Sequence, residues 1–115
     1  LKISEENLDA IKRGMRGVTS EAGGTAASYF SDLDMVIGGK TGSAESSVEG
    51  QAHSWFAGFA PYNNPEIAVA VVVENGNSGG YTAETAKKII EEYFGMNSEK
   101  VVEDKTATSS VESVR

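Results

Sequence analysis

The sequence predicts an α/β chain of the α+β type, in which helices flank an antiparallel sheet of about three strands. The clearest strand is the unbroken apolar run at residues 67–73, which we expect to be buried on both faces. The clearest helix lies at residues 82–94, where apolar side chains recur at helical spacing. The polar segments 46–51 and 61–65 connect the strands as a hairpin and a turn, which favours antiparallel pairing.

An N-terminal helix is predicted to begin after Ser4 and to end at Gly17. Ser4 can cap the first turn, and the acidic residues at positions 5 and 6 suit the positive end of a helix dipole. The apolar stripe of this helix is Leu8, Ile11 and Met15. Its basic residues, which we expect to be solvated, are Lys12, Arg13 and Arg16. Residues 19–25 are predicted to form a loop, and residues 24–30 a short helical segment.

The first strand is predicted to begin at residue 35 and to carry polar groups into a site. Its apolar start meets Gly38 and Gly39, which leave a strand edge open to the close approach of another backbone. Lys40 then offers a point charge, and the hydroxyls of Thr41 and Ser43 can donate to a carboxylate. The pattern suits a strand edge that binds an extended, anionic ligand.

Two other interpretations of this stretch exist. The plain one is a strand and turn with a solvated lysine. The other is a phosphate loop, because Gly39, Lys40 and Thr41 match the end of G-x-x-x-x-G-K-[ST]. That motif needs a glycine five positions before Gly39, where this chain has Asp34. The phosphate loop is therefore disfavoured.

The second strand is predicted at residues 53–60, and its aromatic residues on both faces indicate that both faces are covered. We expect Trp55 to be a core or cleft-wall residue and His53 to be a surface residue of the strand. Residues 74–80 are predicted to be a flexible loop. In the helix that follows, Thr82 can cap and Gly95 can end the helix. Its predicted apolar stripe is Ala83, Ala86, Ile89, Ile90, Tyr93 and Phe94.

Composition limits the classes of function. With 115 residues the chain is one domain at most, and its net charge of -7 disfavours nucleic acid as a partner. The chain contains no cysteine and a single histidine, so thiolate and multi-histidine metal sites are excluded. It shows no signal peptide and no apolar run near the roughly 18 residues of a membrane span. Because it begins with Leu1, we expect it to be part of a longer protein.

Several motifs together resemble the penicillin-binding protein transpeptidases. Residues 39–45 (G-K-T-G-S-A-E) and 54–61 (S-W-F-A-G-F-A-P) are similar to the third motif of that family and the strand that follows it. Residues 14–18 (G-M-R-G-V) and 24–26 (G-T-A) resemble the run-up to this motif in the class B, penicillin-binding protein 2-like enzymes. The resemblance implies that residues 1–95 are the C-terminal part of a β-lactamase/transpeptidase-like fold.

The resemblance also implies a function for the parent protein and roles for individual residues. The parent would be a membrane-anchored, extracytoplasmic peptidoglycan D,D-transpeptidase that binds β-lactams and crosslinks stem peptides through a serine acyl-enzyme. Lys40 would belong to the catalytic charge network, and the backbone N–H of Ser43 would be one oxyanion donor. Thr41, Gly42 and Ser43 would bind substrate, with the two hydroxyls on the terminal carboxylate of D-Ala-D-Ala or of a β-lactam. No cofactor is implied.

The other two motifs of the family are missing. No serine has lysine three positions on, and none has asparagine two positions on, so S-x-x-K and S-x-N do not occur. This chain alone is therefore predicted to be inactive, and its first partner would be the upstream part of the same domain.

Two alternative functions stay open. A β-lactam sensor or a serine β-lactamase-type hydrolase would share the fold, although the aromatic strand favours the transpeptidases. The second alternative, from a different class of function, is a non-catalytic interaction module that pairs its strand edge with another chain. The apolar run 67–73 would invite self-association if its edge were uncovered. Residues 96–115 are predicted to be a polar, loosely ordered tail, with a short strand near Val101 and Val102.

Overall fold

A computed structural model describes residues 1–78 and 80–96. In chain order the elements are α1 (Glu5–Ser20), α2 (Ala27–Phe30), β1 (Gly38–Glu45), β2 (Ala52–Ala60), β3 (Ile67–Val73) and α3 (Gly80–Tyr93). The strands form one antiparallel sheet in the order β1-β2-β3. The predicted fold class is confirmed. The strand predicted near Val101 and Val102, and most of the predicted tail, lie outside the described residues.

The inner face of the sheet carries the hydrophobic core. Phe56 of β2 is fully buried at its centre, and its ring lies 5.6 Å from the ring of Phe30 in α2. Helix α3 packs on the same face through Ala83, Ala86 and Ile90, all fully buried. Because α2 and α3 pack on this one face, every second side chain of β1 points towards them.

Strand β1 begins at Gly38, three residues later than predicted. Residues 35–37 lead into the strand without joining the ladder, and the buried carbonyl of Ile37 accepts a hydrogen bond from the Thr19 hydroxyl at 2.8 Å. The partner strand explains this late start. Gly38 pairs with Phe59, so a longer β1 would bring residue 36 opposite Pro61. Proline has no N–H to continue the ladder.

Several helix ends also differ from prediction. Helix α1 does not end at Gly17 but runs to Ser20, so Thr19 is a buried helical residue and not part of a loop. Helix α3 begins at Gly80 rather than at a Thr82 cap; Thr82 is buried in its first turn. The predicted Ser4 cap is confirmed, since its side chain accepts the Asn7 N–H at 3.3 Å.

The basic residues of α1 were expected to be solvated, and two of them contact a ring. The Lys12 ammonium lies 5.2 Å from the centre of the Tyr62 ring, and the Arg16 guanidinium lies 5.6 Å from it. These are cation–π distances. The pair holds the middle of α1 against the turn after β2.

Two predictions of burial on both faces of a strand are wrong, and the apolar stripes of two helices are only partly buried. On the outer face of the sheet, which points away from α2 and α3, Val72 is 47% exposed and Trp55 is 44% exposed. Neither β3 nor β2 is therefore covered on both sides. In α1 the predicted apolar stripe leaves Leu8 44% and Ile11 52% exposed, and in α3 Ile89 is 42% exposed. Tyr93 is exposed as well. Within residues 1–78 and 80–96, each of these side chains is therefore only partly covered.

Candidate functional site

The two glycines at the start of β1 pack against aromatic rings. A side chain at Gly39 would overlap the ring of buried Phe56, and one at Gly38 would overlap the ring of Phe59. Both glycines are buried. We expected these glycines to allow the close approach of another backbone; in the structure they let β1 pack closely against β2 and its aromatic residues. Gly42 differs, since an added Cβ would meet only the Trp55 Cβ, at 3.6 Å.

A groove of about 480 Å³ lies along the edge of the sheet at β1. All four predicted site residues line it, together with residues from the α1–α2 connection, from α2 and from the start of α3. The lining residues are Thr25, Tyr29, Lys40, Thr41, Gly42, Ser43, Ser78 and Gly80. The fold thus brings the predicted residues into one concave site. A larger depression of about 620 Å³ beside α1 contains none of them.

The two predicted hydroxyls lie on the inner face of β1. Thr41 pairs with Phe56 and Ser43 with Ser54, and alternate residues of a strand share a face. Thr41 is half-buried, and its Oγ1 lies 2.7 Å from Oγ1 of Thr25. Ser43, two residues further along the strand, is exposed. Both hydroxyls therefore reach the groove from the same side.

Lys40 starts from the opposite face of the strand, where it pairs with Ala57. Its side chain is exposed and turns around the strand edge, so that Nζ donates to the carbonyl of Thr41 at 2.7 Å. The positive charge consequently lies at the rim of the groove beside the two hydroxyls. A cation with neighbouring hydroxyl donors is a suitable arrangement for a carboxylate.

The far wall of the groove is attached to the sheet by hydrogen bonds. The backbone N–H of Asn77 donates to Ala52 O at 3.0 Å, and Ala52 N–H donates to Asn77 Oδ1 at 2.8 Å. Ser54 donates to Ser78 O at 2.7 Å. Hydrogen bonds thus attach residues 74–78, which were predicted to be a flexible loop, to the start of β2. A side chain at Gly80 would run into the Tyr29 hydroxyl, so α3 begins in close contact with α2.

The two aromatic candidates of β2 take no part in the groove. His53 is half-buried, and its Nδ1 accepts the backbone N–H of Asn75 at 3.1 Å. It therefore has a structural role in the same connection. Trp55 lies exposed on the outer face, so the prediction of a core or cleft-wall position is wrong.

Four lining residues were missed by sequence reasoning about the site: Thr25, Tyr29, Ser78 and Gly80. They are separated from β1 along the chain and join it only through tertiary packing. The one available signal was the G-T-A segment at residues 24–26, which contains Thr25. In the part of the chain that the structure describes, no cluster of three or more histidine, cysteine, aspartate or glutamate residues could hold a metal ion.

Comparison with known proteins identifies the family. The family model described as penicillin binding protein transpeptidase domain matches residues 1–91. The peptidoglycan D,D-transpeptidase MrdA of Haemophilus influenzae is 33% identical over an alignment that covers 76% of this chain and 16% of that protein.

Two solved structures share the fold. Penicillin-binding protein 2 of Pseudomonas aeruginosa, in complex with WCK 5153, has a TM-score of 0.72 at 41% identity and is matched over 78% of this chain and 20% of its own. Penicillin-binding protein A of Mycobacterium tuberculosis, an imipenem acyl-enzyme complex, has a TM-score of 0.65 at 30% identity, over 80% of this chain and 20% of its own.

The chain spans less than a fifth of the MrdA relative's length. Within that span, the family match includes the whole of β1 and the groove, since both lie inside residues 1–91. The chain belongs to the penicillin-binding protein transpeptidase family, as a class B, penicillin-binding protein 2-like member.

Proposed function

We propose that this chain supplies the substrate-clamping edge of a peptidoglycan D,D-transpeptidase domain and does not supply its nucleophile. The observation that carries the proposal is the groove in which Lys40, Thr41 and Ser43 lie together on an edge strand. Gly42 leaves the strand between the two hydroxyls without a side chain. An extended peptide with a terminal carboxylate fits these donors, because it can lie along the edge strand and place its negative charge at Lys40.

In this mechanism the hydroxyls of Thr41 and Ser43 donate to the terminal carboxylate of a D-Ala-D-Ala stem peptide. A serine from another part of the domain attacks the carbonyl carbon of the penultimate D-Ala. The peptide bond to the terminal D-Ala breaks, and that residue leaves with a proton on its nitrogen. The acyl group then passes from the serine to the amino group of a second stem peptide. A β-lactam would enter the same site, with its carboxylate on the same hydroxyls.

The charge of Lys40 has two uses here. It attracts the substrate carboxylate, and it stabilises the serine groups that arrive from the rest of the domain. The backbone N–H of Ser43 would donate to the oxyanion that forms during attack, and the second oxyanion donor would come from the nucleophile itself. The negative oxygen would then be held by donors that are fixed before the reaction begins.

The exposed outer face of the sheet supports the view that more of the domain packs there. Trp55 and Val72 are nearly half exposed, and Leu8 and Ile11 of α1 are similar. Burying apolar side chains of this size is favourable by roughly 1.5–3 kcal/mol each. The upstream part of the domain is the proposed partner for these surfaces, and self-association is the expected alternative when that part is absent.

We place the whole protein in cell-wall synthesis and the maintenance of cell shape, anchored in the bacterial membrane with this domain on the outer side. The support is the match to the MrdA relative and the fit of the groove to a stem peptide. None of the helices described here, α1, α2 or α3, has the length and apolar character of a membrane span.

The proposal is tested by the rate of acylation by penicillin in the complete transpeptidase domain that contains this sequence. We expect Lys40→Ala to lower the second-order acylation rate constant roughly 10- to 100-fold, because it removes a charged hydrogen-bonding group worth about 1.5–3 kcal/mol. Lys88→Ala is the matched control, since Lys88 is an exposed lysine that pairs with Glu84 on α3. Its rate should equal that of the unchanged protein.

Four outcomes are informative. An unchanged rate in both Lys40→Ala and Thr41→Ala would favour a non-catalytic strand-pairing module. Rapid β-lactam turnover without crosslinking of stem peptides would favour a hydrolase, and stable acylation without either activity would favour a sensor. Crosslinking that falls together with acylation in Lys40→Ala supports the transpeptidase.

A further inference from the structure

Thr25 contacts the clamp from outside the strand. It lies in the connection between α1 and α2, sixteen residues before Thr41, and the two Oγ1 atoms are 2.7 Å apart. Thr25 is exposed and lines the groove. Its hydroxyl is thus the neighbour of a proposed carboxylate donor.

The backbone on both sides of Thr25 is fixed. The backbone of Gly24 packs closely against the last turn of α1, because an added Cβ would lie 2.6 Å from the Val18 carbonyl oxygen. The N–H of Gly24 donates to Glu21 O at 2.9 Å. On the other side, Ala26 is fully buried and donates its N–H to Val18 O at 3.0 Å. Thr25 is therefore held in place by two anchored neighbours.

A count of protons decides which hydroxyl donates. A threonine hydroxyl has one proton to donate and two lone pairs that accept. If Thr41 gives its proton to a substrate carboxylate, it has none left for Thr25, and the contact between them must run from Thr25 to Thr41. Accepting this bond also polarises the Thr41 hydroxyl and makes it a stronger donor.

We propose that Thr25 is a positioning residue of the carboxylate clamp: it donates to Thr41 Oγ1 and so directs the Thr41 proton into the groove. This inference rests on the proposed function, because it needs a carboxylate ligand on Thr41. Thr25 itself touches no substrate in this role.

The test compares variants of the complete transpeptidase domain. Thr25→Val keeps the shape of the side chain and removes the hydroxyl, and we expect it to lower the second-order rate constant of penicillin acylation roughly threefold to tenfold. Thr25→Ser keeps the hydroxyl and should restore the rate to within about twofold of the unchanged protein. An equal loss in Thr25→Ser and Thr25→Val would overturn the proposal.

Two further measurements separate positioning from a merely structural role. If Thr25 acts through Thr41, the double variant Thr25→Val with Thr41→Val should be no slower than Thr41→Val alone. Losses that multiply would contradict the proposal. A penicillin methyl ester has a neutral, weaker acceptor in place of the carboxylate, so the loss caused by Thr25→Val should be smaller with the ester than with the acid. A fall with the ester equal to that with the acid would also contradict it.

The outcome distinguishes this inference from the proposed function. If the unchanged domain is not acylated by penicillin, the proposed function fails. If the unchanged domain is acylated and Thr25→Val reacts at the same rate, only the positioning role fails. Should Thr25→Val melt at a lower temperature than the unchanged domain, Thr25→Ala gives the same comparison, because Thr25 is exposed and can be shortened.

Discussion

The glycines of β1 offer a direct test of how the strand is packed. We expect Gly39→Ala to destabilise the domain, because the new Cβ would overlap the ring of Phe56 and lie 3.2 Å from Thr19 Cγ2. Phe56 cannot easily move, since it is fully buried against Phe30. Overpacking of this kind costs about 1–3 kcal/mol.

Gly42→Ala is the matched control on the same strand. Its Cβ would make one ordinary contact, at 3.6 Å from the Trp55 Cβ. Replacing glycine by alanine inside a regular element stabilises it by roughly 0.5–1 kcal/mol. Because both substitutions share this backbone gain, equilibrium urea unfolding of the complete domain, at constant slope, should separate the two variants by the overpacking cost of about 1–3 kcal/mol. Equal midpoints for Gly39→Ala and Gly42→Ala would refute the packing of β1 described here.

Two other predictions concern the helix connection and the exposed sheet face. Thr19→Val removes the hydroxyl that donates to the buried Ile37 carbonyl. It should therefore lower the free energy of unfolding by about 1–3 kcal/mol in the same urea assay. Ser20→Ala, the control, should change the free energy of unfolding little because Ser20 is exposed. The chain expressed alone should associate as its concentration rises, and Val72→Lys, which places a charge on the exposed outer face, should weaken this association in light scattering. A stable monomer at every concentration would count against the second prediction.

The elements of the fold could be predicted because each has a local signal. Ser4 predicts a capped helix start, and its side chain does cap α1. The apolar run at residues 67–73 predicts a strand, which is β3. Gly95, with a φ of 69°, follows the end of α3 as predicted. The element ends were less predictable. Thr19 continues α1 because its hydroxyl finds the Ile37 carbonyl, and that contact exists only in the folded chain.

Burial and the far wall of the groove could not be predicted, for a different reason. An apolar strand such as residues 67–73 predicts burial but does not specify which element covers each face, and within the described residues Val72 on its outer face is exposed. Thr25 and Ser78 have no local signal for a site, since small polar residues are common in connections. They become lining residues only when α2 and α3 pack on the sheet beside β1. The four residues of β1 were found because their chemistry is contiguous in the sequence.

The measurement that tests the central claim most directly is the position of the penicillin adduct in the complete transpeptidase domain. After incubation with penicillin, digestion and mass spectrometry should locate the adduct on a serine outside residues 1–115, and intact mass should show no adduct on this chain alone. That result would agree with a chain that clamps the substrate while another segment provides the nucleophile. An adduct on Ser43, or on any other serine of this chain, would contradict the account.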